Sequence, residues 1–226
     1  MSNDYEVLVP ERRIALAALC MLPIYYLALP YVLKQLFDDT LLVNCLYFTI
    51  GVSLVGILFF PFLRRSLPTF LGGKERVLRG LAAGAIGHYA GAYVLSLALV
   101  LSGIVPQTLN NQTVQELTRR APALMLFFSV AAVPITEECL FRGALFGLLR
   151  KRHRVAAYLI TAVAFAAIHA TTGIAAGRWM DVYGVLPYLA PGLAFCFAYE
   201  YSGTIWTSIV LHAAINAVAF VFSLTR

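Results

Sequence analysis

The sequence predicts an all-α integral membrane protein, a polytopic bundle of about seven or eight transmembrane helices. Hydrophobic residues make up 61% of the 226 residues and charged residues only 12%, about half the charged share of a typical soluble domain. Apolar runs of about 20 residues, the length that crosses roughly 30 Å of hydrocarbon, recur along the whole chain. We therefore expect lipid to be the solvent for most of the surface.

Seven such runs lie between the charged residues. In chain order they cover residues 14–33, 41–63, 80–105, 121–149, 155–177, 182–199 and 202–225. The first contains Pro23 and Pro30, which predict a bend, and its length favours an anchor over a cleaved signal peptide. The sixth is the shortest and carries Pro187 and Pro191. The fourth is interrupted by charged residues and is long enough to contain a break. It could therefore form two helices, which would give eight in total.

Basic residues are distributed unevenly between the two ends of these runs. With the N-terminus in the cytoplasm, eleven lie on the inner side: Arg12, Arg13, Arg64, Arg65, Lys74, Arg76, Arg79, Arg150, Lys151, Arg152 and Arg154. Five lie on the outer side: Lys34, Arg119, Arg120, Arg178 and Arg226. This bias predicts a cytoplasmic N-terminus and an odd number of spans. Basic loops of this kind flank membrane helices, so no nucleic-acid partner is expected.

The third run carries glycines at spacings that allow close helix packing, namely Gly80, Gly84, Gly87 and Gly91. The four cysteines also lie in apolar stretches, without the paired spacing of a disulfide framework or a zinc knuckle. We interpret both sets as packing features.

The fourth run contains three charged residues, Glu137, Glu138 and Arg142. Each costs about 2.5–3.5 kcal/mol to insert, so such residues are kept where they are paired, hydrated or functional. Glu138 and Arg142 are four residues apart and can form an ion pair on one helix face. Glu137 points about 100° away and is the carboxylate left for chemistry. The alternative is that both acids share Arg142 as a structural clamp.

Other polar residues fall at the same depth in neighbouring runs. His169 lies in the fifth run, one turn after Phe165, and His212 and Asn216 lie four residues apart in the seventh. Counting 1.5 Å per residue from the basic loops places Glu137, His169 and Asn216 each about 20 Å from the inner surface. We therefore predict a shared polar pocket.

A carboxylate, an imidazole and an amide around one pocket favour hydrolysis. Glu137 would act as a general base on a water that His169 helps to hold, and His212 and Asn216 offer N–H donors to an oxyanion. Pro134, one turn before Glu137, predicts either a kink or a helix start.

Two other chemistries compete with this one. Plausible zinc ligands are present among Glu137, Glu138, His169 and His212, but the chain has no H-E-x-x-H motif. We therefore expect an enzyme without a metal or other cofactor, with a zinc enzyme as the alternative. Cys139 is a weaker candidate nucleophile, and a serine elbow, G-x-S-x-G, is absent from the sequence.

Three segments resemble the motifs of the type II CAAX prenyl endopeptidase family, also called CPBP or Abi glutamic intramembrane proteases. They are E-E-C-L-F-R at 137–142, F-A-A-I-H at 165–169 and H-A-A-I-N at 212–216. The resemblance implies Glu137 and His169 as the water-activating pair, His212 and Asn216 at the oxyanion, and Glu138, Arg142 and Phe165 in support. It covers residues 121–226, the expected catalytic core, whereas residues 1–120 match only as hydrophobic helices within the same membrane domain.

The predicted function is cleavage of a peptide bond in a membrane-associated protein or peptide, with a prenylated or other lipidated substrate as one option. The predicted location is a prokaryotic inner membrane. Two non-protease alternatives are a proton-coupled transporter, in which His88 could take part, and a membrane scaffold or immunity protein.

Overall fold

The computed structural model describes residues 6–105 and 107–224, and all regular structure in these ranges is helical. The described helices, numbered in chain order, are α1 (Arg12–Leu36), α2 (Thr40–Gly72), α3 (Lys74–Leu101), α4 (Leu109–Arg120), α5 (Pro122–Arg150), α6 (Arg154–Ile168), α7 (Thr171–Ala175), α8 (Asp181–Ser202) and α9 (Ile205–Leu224). Of the predicted positions, Thr225 and Arg226 lie outside the described residues.

Six of these helices, α1, α2, α3, α5, α8 and α9, are long and apolar enough to cross a membrane. The all-α membrane fold is therefore confirmed, and the protein is an integral membrane protein. The fifth predicted span corresponds to α6, which has only 15 residues and is about 22 Å long. Residues 169–180 continue the chain from the end of α6 to the start of α8.

Several predicted limits were wrong. The second helix continues to Gly72, past two arginines and through Pro61 and Pro68, because charged residues extend a helix readily once it leaves hydrocarbon. The third begins at Lys74 for the same reason and ends at Leu101. The fifth ends at Ile168, and in the segment that follows Gly173 packs so closely on Asp181 that any Cβ there would overlap the carboxylate.

The fourth run forms one continuous helix, so Pro134 does not start a new one. Instead α5 contains two wider, π-helical stretches, Phe128–Ala132 directly before the proline turn and Cys139–Phe146 directly after Glu138. The additional helix lies elsewhere: α4 is a polar helix of 12 residues that joins α3 to α5. Its sequence, LNNQTVQELTRR, is too short and too polar to span a bilayer.

The helices differ in how much of them the protein itself covers. In the most apolar 18-residue window, 50% of α5 and 56% of α8 is buried, against 11–17% for α1, α2 and α3. The centre of the bundle is thus α5 and α8, with α6 and α9 packed beside them. The predicted close packing of α3 is found at two of its glycines. A Cβ would lie 2.5 Å from Leu211 at Gly84 and 2.9 Å from Ala190 at Gly91. At Gly87, by contrast, a Cβ would meet no atom within 4 Å.

Candidate active site

The predicted ion pair on α5 is present and is completely buried. Arg142 Nη1 lies 3.1 Å from Glu138 Oε1, and both side chains are 0% exposed. The same Glu138 oxygen lies 2.8 Å from His212 Nδ1 on α9. Because a carboxylate can only accept, Nδ1 carries the proton in this contact. One oxygen of Glu138 thus accepts hydrogen bonds from both the Arg142 guanidinium and the His212 imidazole, and the second of these bonds orients the His212 ring.

Glu137 lies beside this group without joining it. Its Oε2 atom is buried and has no hydrogen-bond partner among the described residues. It lies 3.9 Å from His212 Nε2, the nitrogen not used by Glu138. The sorting predicted from helix geometry, in which Glu138 pairs with Arg142 and Glu137 stays available, matches these contacts.

His169 lies where α6 ends, next to the Phe165 ring. Its Nδ1 lies 2.9 Å from the Phe165 carbonyl oxygen, so Nδ1 is the donor and Nε2 of the neutral ring is left as an acceptor. The ring stacks on Tyr188, with centroids 4.0 Å apart. Tyr188 in turn donates from its hydroxyl to Asn111 Oδ1 at 2.5 Å.

Phe165 connects the two histidines. Its ring centroid lies 5.1 Å from that of His169 and 6.0 Å from that of His212. In the described structure His169 makes no direct hydrogen bond to Glu137. Its link to the glutamates is indirect, because Phe165 contacts both His169 and His212, and His212 binds Glu138.

Two aromatic rings cover the guanidinium of Arg142. Its central carbon lies 4.4 Å from the Phe165 centroid and 4.9 Å from the Phe195 centroid, distances typical of cation–π contacts. Phe195 also stacks on His212, with centroids 4.6 Å apart. The backbone of α8 also binds the guanidinium, since the carbonyl oxygen of Gly192 accepts a hydrogen bond from Arg142 Nη2 at 3.1 Å.

Asn216 has a partner that the sequence did not suggest. Its Nδ2 donates to the carbonyl oxygen of Ser129 at 2.9 Å. Ser129 lies in the π-helical stretch before Pro134, where backbone carbonyls lose the regular helical partner. One N–H of the Asn216 amide therefore holds α9 to α5, and one remains for another acceptor.

Sequence reasoning missed Tyr188, Phe195, Asn111 and Ser129. All four are ordinary residues of helices or turns, and none is a costly charge in an apolar run. A weak signal did exist for Phe195, since it lies four residues after Pro191 on the same helix face. The others are brought to the site by tertiary packing alone.

A metal centre is not evident in the side-chain arrangement. Within residues 6–105 and 107–224, no group of three or more His, Cys, Asp or Glu side chains is placed to hold a metal ion. Arg142 already supplies a positive charge beside Glu138, which opposes a second cation at this carboxylate.

Comparison with known proteins finds one similar family. Residues 119–218 match the family model described as "Type II CAAX prenyl endopeptidase Rce1-like". All seven predicted site residues fall inside this segment, which is similar to that family and covers less than half of the chain.

Two curated relatives are similar to the chain. "Putative membrane peptidase YdiL" of Bacillus subtilis (strain 168) is 28% identical over 66% of this chain and 57% of its own length. "UPF0177 protein YxdF" of Lactococcus lactis subsp. lactis (strain IL1403) is 25% identical over 55% of this chain and 64% of its own length. The chain thus spans less than two thirds of either relative. No solved structure matches.

Proposed function

We propose that the protein is an intramembrane endopeptidase that uses Glu137 as a general base on water. The observation that carries this proposal is the buried Oε2 of Glu137, which has no hydrogen-bond partner among the described residues and lies 3.9 Å from His212 Nε2. Glu138, by contrast, is paired through Oε1 with both Arg142 and His212. A buried carboxylate that lacks such a pairing and lies beside an imidazole is suited to accept a proton.

In this mechanism Glu137 takes a proton from a water held against Nε2 of His169. The hydroxide attacks the carbonyl carbon of the scissile peptide, and the proton passes from Glu137 to the leaving nitrogen. A proton on Nε2 of His212, the ring nitrogen that Glu138 does not use, would let this histidine stabilise the oxyanion together with the second N–H of the Asn216 amide.

The substrate class that fits is a membrane-associated protein or peptide that reaches the site from the lipid, including a lipidated C-terminal tail. The match to the endopeptidase family model and the membrane-peptidase name of the Bacillus relative support this choice. For location we propose a prokaryotic inner membrane with the N-terminus in the cytoplasm, which the unequal basic loops support.

The test compares Glu137→Gln with wild type for cleavage of a membrane-bound reporter peptide by the purified protein. We expect a loss of about 10²–10⁴-fold, the usual contribution of a positioned general base, and a similar loss for His169→Ala. Glu116→Gln, the same change at an exposed position of α4, is the matched control and should keep full activity. Cleavage that survives in both site variants would make the protease proposal wrong.

The same assay separates the remaining alternatives. Loss of activity in a chelator that is restored by zinc would favour a zinc-dependent protease with the same residues as ligands. Absence of cleavage in wild type, with proton flux or partner binding that depends on Glu137, would instead favour a transporter or a scaffold.

A further inference from the structure

A basic cleft and an apolar groove meet at one end of the bundle. The cleft has a volume of about 750 Å³ and lies where α2 turns into α3 and α5 turns into α6. The groove has a volume of about 830 Å³ and runs between α3 and α8. Tyr158 and Phe197 line both cavities, so the two adjoin at these side chains. None of the residues assigned to catalysis lines either one.

The cleft carries an excess of positive charge. Its lining includes five basic side chains, those of Lys74, Arg76, Arg79, Arg150 and Arg154, against the two carboxylates Glu75 and Glu200. Both carboxylates are already engaged: Glu75 pairs with Arg79 at 2.6 Å, and Glu200 pairs with Arg150 and Arg154 at 2.8 Å each. An anion entering the cleft would therefore meet cations rather than unpaired acids.

The groove is lined almost entirely by apolar side chains, among them Leu189, Leu193 and Phe197. Along α3 it extends from Ala83 to Leu95, about 18 Å at 1.5 Å per residue. This length is close to half of the roughly 30 Å hydrocarbon core, which is the depth of one lipid leaflet.

We propose that the cleft and the groove together bind an anionic glycerophospholipid, with the phosphate in the cleft and one acyl chain in the groove. Charge complementarity selects the head group, because five basic side chains against two carboxylates give the cleft a net positive charge that an anionic phosphate would balance and a neutral lipid would not. The adjoining apolar groove selects a lipid over free phosphate, which would leave the groove empty. The proposal does not depend on peptidase activity.

The test measures which lipids the purified full-length chain retains. The protein is incubated in detergent with equal amounts of phosphatidylglycerol and phosphatidylcholine, and bound lipid is counted by native mass spectrometry. We expect phosphatidylglycerol to be retained preferentially. Lys74→Gln should lower this preference about fivefold, the effect of one interfacial cation. Lys151→Gln, an exposed lysine at the same end of the bundle that does not line the cleft, should leave it unchanged.

A second variant tests the groove. A Cβ added at Gly87 meets no atom within 4 Å, so Gly87→Leu should fill the groove without disturbing the protein and reduce retention of phosphatidylglycerol. Gly56→Leu is the control, because Gly56 on α2 is equally open and lies outside the groove. Equal retention of the two lipids by wild type would overturn the proposal. So would full retention by Gly87→Leu, or displacement of the lipid by an equal concentration of inorganic phosphate.

Discussion

The side chain of Arg142 holds together residues from four helices. It pairs with Glu138 on its own helix, stacks between Phe165 of α6 and Phe195 of α8, and reaches the carbonyl of Gly192. His212 of α9 joins through Glu138. A charge at 0% exposure needs nearby groups that compensate it. These contacts supply them, although Nε of Arg142 has no hydrogen-bond partner among the described residues.

Arg142→Met should therefore be strongly destabilising. It leaves the Glu138 carboxylate buried without its main counter-charge, a change that typically costs about 3–5 kcal/mol. Arg79→Met is the matched control, because Arg79 forms an i,i+4 pair with Glu75 in which the side chains are 66% and 76% exposed, and such pairs contribute about 1 kcal/mol or less. Unfolding in mixed micelles would measure both, and equal losses would contradict the assigned role of Arg142.

Tyr188 positions His169 by two separable contacts, a ring stack and a hydroxyl bond to Asn111. Tyr188→Phe keeps the stack and loses the bond, so we expect kcat/KM to fall about fivefold, the value of one hydrogen bond of roughly 1 kcal/mol. Tyr188→Ala removes both contacts and should cost clearly more. If the two variants lose the same activity in the reporter assay, the stack has no part in holding His169.

At the scale of helices, the closest approach that the site depends on is between α6 and α8. A Cβ at Gly192 would lie 2.8 Å from the Cα of Ala162, so this position admits only glycine at the present separation. Phe195, one turn further along α8, and Phe165, one turn further along α6, are the two rings that cover Arg142. The distance between the two helices therefore determines how these rings meet the guanidinium.

Gly192→Ala should push α8 away from α6 and destabilise the protein by about 1–3 kcal/mol, the usual cost of overpacking. Gly56→Ala makes the same chemical change where a Cβ meets no atom within 4 Å, and there we expect a neutral or slightly stabilising effect. Thermal unfolding in detergent compares the two. A Gly192→Ala variant as stable as wild type would show that α6 and α8 can separate freely.

At the scale of the whole molecule, the short helix α6 decides the topology. It begins at Arg154, near the basic end of the bundle, and the chain then reaches Asp181, whose carboxylate accepts from the backbone N–H of Leu109 at the other end. α8 returns to Gly203, whose carbonyl accepts from Leu8 near the N-terminus. The chain thus passes seven times between the two ends, although one passage is only partly helical.

This path predicts that the two termini lie on opposite sides of the membrane. With the N-terminus in the cytoplasm, alkaline phosphatase fused after Leu224 should be active and the same enzyme inserted at Gly73, between α2 and α3, should be inactive. Green fluorescent protein at the same two sites should give the reverse result. Activity of both phosphatase fusions, or of neither, would contradict seven crossings.

The sequence by itself determined the membrane class, the approximate positions of the spans and the residues of the central ion pair. These depend on local quantities, namely the apolar content of a window and the 100° rotation per residue that separates Glu137 from Glu138. The cost of charge in lipid made the site residues visible, since three charges within six residues of a span persist only where pairing, hydration or function offsets that cost.

Only the tertiary structure decided where α6 ends, which carbonyl Asn216 reaches, and that Tyr188 and Phe195 border the histidines. These features depend on contacts between residues far apart in the chain, such as Gly173 with Asp181 and Gly192 with Ala162. A local pattern gives the face of a helix but not the partner that meets it, because the partner depends on how all the helices pack together.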